Sequence, residues 1–220
     1  MARFSVRELG ARTWPDFVRI MEKHNGVWGG CWCVAFHLTR AEENKWAGRH
    51  RELKERLVQA NRSHAALVYD GEDVVGWCQF GPPAELPARM GGFVRLGVAP
   101  PDWRITCFFV DRDRRNEGIA EAALAGALRM IASKGGGTVD GYPIDTRGKP
   151  YSSSFLWGGT ELMFAEAGFR TVGHLGASKV VMRKKVRSQS RTKSSRAQGS
   201  LRLRLLHMAF GNLHLLESYD

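Results

Sequence analysis

The 220-residue sequence lacks the features that mark several classes of protein. No apolar run approaches the roughly 20 residues that a membrane-spanning helix needs, and residues 1–8 lack the apolar core of a signal peptide. We therefore expect no membrane span and a cytoplasmic location. The hydrophobic content of 43% is enough for one domain with a sizeable core.

Cysteine is scarce, and its spacing argues against two kinds of site. The chain has four cysteines, Cys31, Cys33, Cys78 and Cys107, which fits a reducing compartment better than a disulfide framework. One residue separates Cys31 from Cys33, and no second pair stands at the spacing of a zinc site, so we predict no metal. Burial as small hydrophobic side chains is the simpler interpretation.

Positive charge is concentrated at the C-terminal end. The net charge is +11, of which residues 183–220 contribute +7, with nine Lys or Arg and two acidic residues. Residues 188–200 are dominated by Ser, Arg, Lys and Gln and have no periodicity. We predict a domain over residues 1–186 and a basic tail over 187–220 that is disordered or loosely helical. Nucleic acid or an anionic surface is an expected partner of this tail alone.

The order of the predicted elements indicates a mixed α/β fold. It runs through two helices, a hairpin, a strand, a helix, a strand, a short helix and two closing strands, which favours one sheet with helices on its faces. The elements begin with helices from Thr13 and from a Thr39–Glu42 capping box, then a hairpin over 65–80 with an Asp70-Gly71 turn, and strands over 104–110 and 138–143. Residues 26–36 are predicted as a loop that enters a strand.

The clearest chemical signal runs from Val110 to Ala120. A hydrophobic strand ends, basic residues follow, and Gly118 stands where a helix begins. Exposed amides at a helix start bind phosphates, and a glycine lets a pyrophosphate approach the backbone closely. No Lys-Ser or Lys-Thr pair follows Gly118, which argues against a P-loop, and the further glycines that a dinucleotide fingerprint needs are absent.

The run Arg115-x-x-Gly118-x-Ala120, between a strand and a helix, resembles the acyl-CoA-binding motif of the GNAT superfamily of N-acetyltransferases. The hairpin before it, the strand after it and Phe164-x-x-x-Gly168-Phe169 stand in the superfamily's order. Gly30-Cys31-Trp32-Cys33 and Asp140-Gly141-Tyr142-Pro143 resemble segments of a bacterial branch. The implied fold is a mixed, mostly antiparallel sheet flanked by helices, over roughly residues 4–186.

The resemblance implies acetyl-CoA as the acyl donor. Backbone groups of a strand would pair with its pantetheine arm, and amides of the following turn would hold its pyrophosphate. The strand residues are Phe108, Phe109 and Val110, and the turn residues are Arg115, Asn116, Glu117, Gly118, Ile119 and Ala120. The implied reaction is direct attack of a primary amine, of a small molecule or peptide, on the acetyl thioester in a ternary complex.

Phe164 departs from the family pattern. Many members have a tyrosine there that protonates the leaving thiolate, and phenylalanine cannot donate a proton. Tyr142 is our first candidate for a substitute, ahead of Tyr151 and the serines at 152–154. A second interpretation of the chain is an acyl-CoA-binding module that has lost catalysis.

Asp140 is our first candidate for the general base, ahead of Glu85. Residues 140 and 142 share strand parity, so the side chains of Asp140 and Tyr142 are expected on one face. A solvated turn carboxylate is the alternative interpretation of an Asp before Gly. We consider His24 and His37 only as bases that could activate a cysteine, if a cysteine were the nucleophile.

Acceptor binding is predicted in residues 26–36 and 81–103. Trp28 and Trp32 would wall the pocket and Glu85 would contact the acceptor, with burial in the core as the alternative for the tryptophans. The sequence names neither the acceptor nor the oligomeric state.

Overall fold

A seven-stranded sheet organises the chain. The computed structural model describes residues 3–88, 96–145, 153–175 and 179–189. Within them the strands are β1 (Ser5–Glu8), β2 (His64–Asp70), β3 (Asp73–Gly81), β4 (Trp103–Val110), β5 (Gly137–Gly141), β6 (Arg170–Leu175) and β7 (Lys179–Val186). The α-helices are α1 (Trp14–Lys23), α2 (His50–Gln59), α3 (Ile119–Ser133) and α4 (Glu161–Glu166), and 3-10 turns span Asn44–Trp46, Arg112–Arg114 and Ser153–Gly158. None of the helices in these ranges is long and apolar enough to cross a membrane.

The strand order is β1-β2-β3-β4-β5-β7-β6. Every neighbouring pair is antiparallel except β4 and β5, which run parallel over three residue pairs, from Trp103–Val139 to Ile105–Gly141. The two-residue Gly71-Glu72 turn joins β2 to β3, and Gly71 has φ +61°, a conformation that glycine adopts without a steric penalty. The structure thus confirms the predicted mixed, mostly antiparallel sheet.

A bulge bends β4 next to the point where β5 leaves it. Gln79 of β3 pairs with Cys107 and Phe80 pairs with Ile105, so Thr106 has no partner residue on β3. An extra residue in one strand sharpens its local bend and twist. The hydroxyl of Thr106 is buried and makes no hydrogen bond within the described ranges. From Thr106 onward β4 and β5 diverge, and the sheet opens between them.

Each face of the sheet carries its own hydrophobic core. One core joins α3 and α4 to Ile105, Phe108 and Val139. The other joins α1 to Cys107 and Phe109. Because of the bulge, Ile105 and Phe108 face the same core although three positions separate them. β4 therefore contributes large side chains to both layers, and removing these groups from water stabilises the sheet by about 1.5–3 kcal/mol for each fully buried aromatic or aliphatic side chain.

Two predictions of local structure are wrong. Residues 26–36 form turns and enter no strand, because Val27, Trp28, Trp32 and Cys33 have positive φ, which no strand contains. The predicted second helix is shorter: Thr39 does hydrogen-bond the Glu42 carboxylate, but α2 begins only at His50.

The predicted boundary at residue 186 coincides with the end of β7 at Val186. The predicted tail lies outside the described residues beyond Gln189, as do Tyr151, Ser152 and part of the predicted acceptor loop. The division into a domain and a tail stays a prediction.

Candidate active site

A cleft of about 330 Å³ opens where β4 and β5 separate. Most of the predicted cofactor residues line it: Phe108, Phe109, Val110, Arg115, Asn116, Gly118, Ile119 and Ala120. This volume lies within the range of small-molecule sites, about 300–1,000 Å³. The end of β4 and the start of α3 thus form one continuous wall.

The turn that leads into α3 is shaped to hold an anion. Asn116 and Gly118 both have left-handed φ, of +63° and +80°, and such turns direct backbone N–H groups into a shared concavity. Gly118 is also the N-cap of α3, where the first amides of a helix have no partner within it. A Cβ at Gly118 would meet no atom within 4 Å, so the space before it is open. Arg112 and Arg115 line the same end and supply positive charge.

Glu117 is the one predicted cofactor residue outside the cleft lining. Its carboxylate instead accepts hydrogen bonds from Arg114, with Nε 3.1 Å away, and from Arg3. These bonds tie the turn to the N-terminal segment and, through the ion pair of Arg114 with Asp70, to the β2–β3 hairpin. The side chain of Glu117 therefore stabilises the turn from behind.

The wall opposite β4 comes from residues that the sequence did not single out. Leu156, Trp157, Gly159, Thr160 and Met163 line it, from the 3-10 turn into α4. Thr160 caps α4 by accepting a hydrogen bond from the Met163 amide at 3.3 Å. Trp157 is covered by the ammonium group of Lys179, 3.6 Å from the ring centroid. The sequence predicts a short helix here, but nothing local indicates that its start faces β4.

The side chain of Phe164 is fully buried behind this wall. Its ring packs edge-on against Phe108 at 6.0 Å and against Phe169 at 4.9 Å. Gly141 lies directly beneath it, since a Cβ at that position would collide with the Phe164 ring. Phe164 therefore has a packing role that joins α4 to β4 and β5.

The two predicted catalytic residues lie together, but neither lines the cleft. Both oxygens of the fully buried Asp140 accept hydrogen bonds from Arg183, at 2.7 and 2.8 Å. Burial raises the pKa of Asp140 above its ordinary value, against the opposing effect of Arg183. Burial likewise raises the pKa of Tyr142, whose hydroxyl accepts a hydrogen bond from Arg104 Nε at 3.1 Å. Their catalytic roles stay predictions.

The three predicted acceptor residues separate in the structure. Trp28 lines the cleft and is 42% exposed. Trp32 packs on Trp14, with ring centroids 6.4 Å apart. The carboxylate of Glu85 lies 3.3 Å from Nε2 of His64, away from the cleft lining. Only Trp28 of these three is positioned to meet a ligand in the cleft.

His24, at the C-terminal end of α1, also lines the cleft. Its Nε2 lies 3.3 Å from Oδ1 of Asp111, which is ion-pair distance without the geometry of a hydrogen bond. Burial lowers the pKa of His24, and the charges of Lys23 and Arg112 act in the same direction, while Asp111 opposes them. Burial alone would raise the pKa of Asp111, but the Lys23 hydrogen bond and the Asp113 amide bring it below its ordinary value.

Comparison with known proteins agrees with this geometry. A sequence model of the Acetyltransferase (GNAT) family matches residues 30–140. The structure resembles a histone acetyltransferase HPA2 and related acetyltransferase from Corynebacterium glutamicum, with 14% identity, a TM-score of 0.51 and coverage of 86% of this chain and 99% of that chain.

Two further solved structures are similar at lower scores. One is the PaiA N-acetyltransferase from Thermoplasma acidophilum in complex with coenzyme A, at 12% identity and TM-score 0.46, covering 83% of this chain and 98% of that chain. The other is a ribosomal-protein-S5-alanine acetyltransferase from Vibrio fischeri, at 13% identity and TM-score 0.47, covering 84% of this chain and 94% of that chain.

No curated protein matches the chain. The family model nevertheless spans half of the sequence, including β2, β3, β4, α3 and the turn between β4 and α3. The wall of the cleft that β4 and the start of α3 form lies within this span. The chain is a member of the GNAT family of acetyltransferases.

Proposed function

We propose that the protein transfers an acetyl group from acetyl-CoA to a primary amine of a small molecule or peptide, by direct attack in a ternary complex. The observation that carries this proposal is the continuity of the cleft. It joins an anion-binding turn at one end to an open strand edge along β4, with aromatic and apolar side chains on both sides.

The lining residues fit an acyl-CoA in three respects. The amides around Gly118 and the charges of Arg112 and Arg115 suit phosphate groups. The edge of β4 beyond Ile105 has no pairing with β5, so its backbone groups suit the amides of a pantetheine arm, as an added strand would. When bound, acetyl-CoA supplies an activated acyl group on a good leaving group.

The remaining work falls to groups of this chain. They must orient the acceptor nitrogen, take its proton and exclude competing water. An aromatic face at Trp28 suits a cationic amine, because the negative face of an indole ring attracts an ammonium group.

Binding at the predicted turn is tested by calorimetric titration of acetyl-CoA into the full chain and two variants. Gly118→Glu puts a carboxylate where the phosphates are expected, and we expect binding to be lost. Gly48→Glu is the matched control, since Gly48 also has left-handed φ and open space around it but lies outside the cleft lining. Equal affinity in the wild type and the Gly118→Glu variant would contradict this site.

A module that holds acyl-CoA without turning it over is a second candidate, because Phe164 has no proton to donate. Turnover separates the two functions. Release of free thiol from acetyl-CoA in the presence of primary amines is expected for the enzyme and not for the module.

A further inference from the structure

The contacts of His24 set it apart from the other cleft residues. Its side chain is 6% exposed, and so is that of Asp111. Asp111 is itself fixed, because Lys23 Nζ lies 2.7 Å from its Oδ2 and the Asp113 amide donates to its Oδ1. The ring of His24 rests on Phe109, with centroids 4.9 Å apart. A rigid carboxylate and an aromatic ring thus hold the imidazole from two sides.

The two ring nitrogens of His24 differ in their surroundings. Nε2 faces Asp111, whereas Nδ1 makes no hydrogen bond within the described ranges. A carboxylate beside Nε2 favours the tautomer with its proton on that atom, which leaves the lone pair on Nδ1. Hydrogen bonds of this kind are commonly loose before substrates bind and shorten in the assembled complex.

We propose that His24, oriented by Asp111, is the general base that takes the proton of the acceptor amine. This inference rests on the proposed function. The imidazole accepts a proton as the amine nitrogen forms its bond to the acetyl carbon, and the carbon–sulfur bond breaks with its electron pair on sulfur. The proton then passes from His24 to solvent, and solvent protonates the sulfur, so atoms and charge balance. Asp111 stabilises the imidazolium that forms in between.

Burial keeps His24 neutral against the opposing charge of Asp111, and two other nearby charges act in the same direction as burial. Lys23 on α1 and Arg112 on the 3-10 turn disfavour a second positive charge, and Asp113 is engaged by Lys23 at 3.5 Å. Burial has the largest effect and lowers the pKa of His24 below its ordinary 6.5. The neutral base is therefore present at pH 7, and activity should fall as the pH drops through this lowered pKa.

Asp140, the other candidate for the general base, differs from His24 in its contacts. Arg183 occupies both of its oxygens, and its side chain is fully buried away from the cleft lining. His24 lines the cleft, and among the described residues no group hydrogen-bonds its Nδ1. Trp28 lines the same cleft as His24, and its exposed indole ring is available there to an amine.

The test compares His24→Gln and Asp111→Asn with the wild type in thiol release from acetyl-CoA. The acceptors are benzylamine, which is mostly an ammonium ion at neutral pH, and hydroxylamine, which is mostly neutral. His174→Gln is the control, since His174 is exposed on β6. Each variant is also titrated with acetyl-CoA in the calorimeter.

We expect His24→Gln to bind acetyl-CoA normally and to lose about 100-fold in kcat with benzylamine, the low end of general-base effects. The loss with hydroxylamine should be smaller, and the acidic limb of the pH–rate profile should disappear. Asp111→Asn should shift that limb.

Three results overturn the inference. The first is an unchanged rate and pH profile in His24→Gln. The second is a loss of acetyl-CoA affinity that accounts for the whole change in rate. The third is a wild type that binds acetyl-CoA but transfers acetyl to neither amine. Failure of the wild type to bind acetyl-CoA defeats the proposed function itself.

Discussion

Acid should destabilise the fold through a histidine remote from the cleft lining, His37. Its Nδ1 lies 2.8 Å from the carbonyl oxygen of Glu85, and its Nε2 lies 3.1 Å from Ser63 Oγ and 2.8 Å from Gln79 Nε2. A neutral ring satisfies this arrangement by donating from Nδ1 and accepting the Gln79 amide at Nε2. A protonated ring would turn a second N–H toward the Gln79 NH₂ group. Burial, helped by the charge of Lys54, lowers the pKa of His37 to about 3.

The sign of the effect follows from this lowered pKa. The unfolded chain, with an ordinary histidine pKa of 6.5, binds the proton more readily than the folded chain. The stability that neutral His37 contributes is complete above pH 6.5 and is lost as the pH falls toward 3. Between pH 7 and pH 5 the loss amounts to about 2 kcal/mol, at about 1.4 kcal/mol per pKa unit. Folded His37 stays almost entirely neutral at pH 5, because its pKa in the folded chain is well below 5. The size of the loss therefore depends mainly on the pKa of His37 in the unfolded chain.

Urea unfolding followed by tryptophan fluorescence at pH 5, 6 and 7 measures the effect. His37→Gln should be less stable than the wild type at pH 7, since it disturbs a buried hydrogen-bonded group. Its further loss down to pH 5 should be smaller by about 2 kcal/mol, because the titrating group is gone. His174→Gln, at an exposed position, should keep the wild-type slope. Equal slopes for the wild type and His37→Gln would refute the reasoning.

Two further substitutions test the packing behind the cleft by the same urea measurement. Arg183→Leu leaves the Asp140 carboxylate buried and unpaired, and we expect it to cost about 3–5 kcal/mol of unfolding free energy; a variant as stable as the wild type would show that the pair contributes nothing. Gly141→Ala forces a Cβ against the Phe164 ring and should cost about 1–3 kcal/mol, whereas Gly10→Ala, with no atom near its Cβ, should leave stability almost unchanged.

Local signals explain which parts of the fold the sequence predicted. The hairpin turn and the Gly118 helix start depend on residues next to each other. The helix starts at Gly118 as predicted, and the turn lies at Gly71-Glu72, one residue beyond the predicted Asp70-Gly71. The prediction for residues 26–36 was wrong because their composition favours a strand, whereas their backbone adopts turns. Val27 and Cys33 are buried in the core beside α1, and this tertiary packing holds a run of left-handed turns that composition alone does not favour.

The candidate site likewise has one part that local sequence indicates and another that depends on long-range contacts. The β4–α3 wall is contiguous in sequence, so one motif indicated nearly all of it. The opposite wall around Thr160 and the approach of His24 to Asp111 depend on long-range proximity. The pairing of Asp140 with Arg183 follows from the register of β5 and β7, which places the two residues directly opposite each other, and no pattern within either strand specifies a register.

The parallel seam between β4 and β5 is three residue pairs long, so few backbone hydrogen bonds join one unit of the sheet, β1 to β4, to the other, β5 to β7. Native-state hydrogen exchange should therefore detect a partial opening along this seam that costs less than global unfolding. An occupant of the cleft touches β4 on one side and the α4 wall on the other. It thereby holds the two units together by mass action, and the melting temperature becomes a function of its concentration.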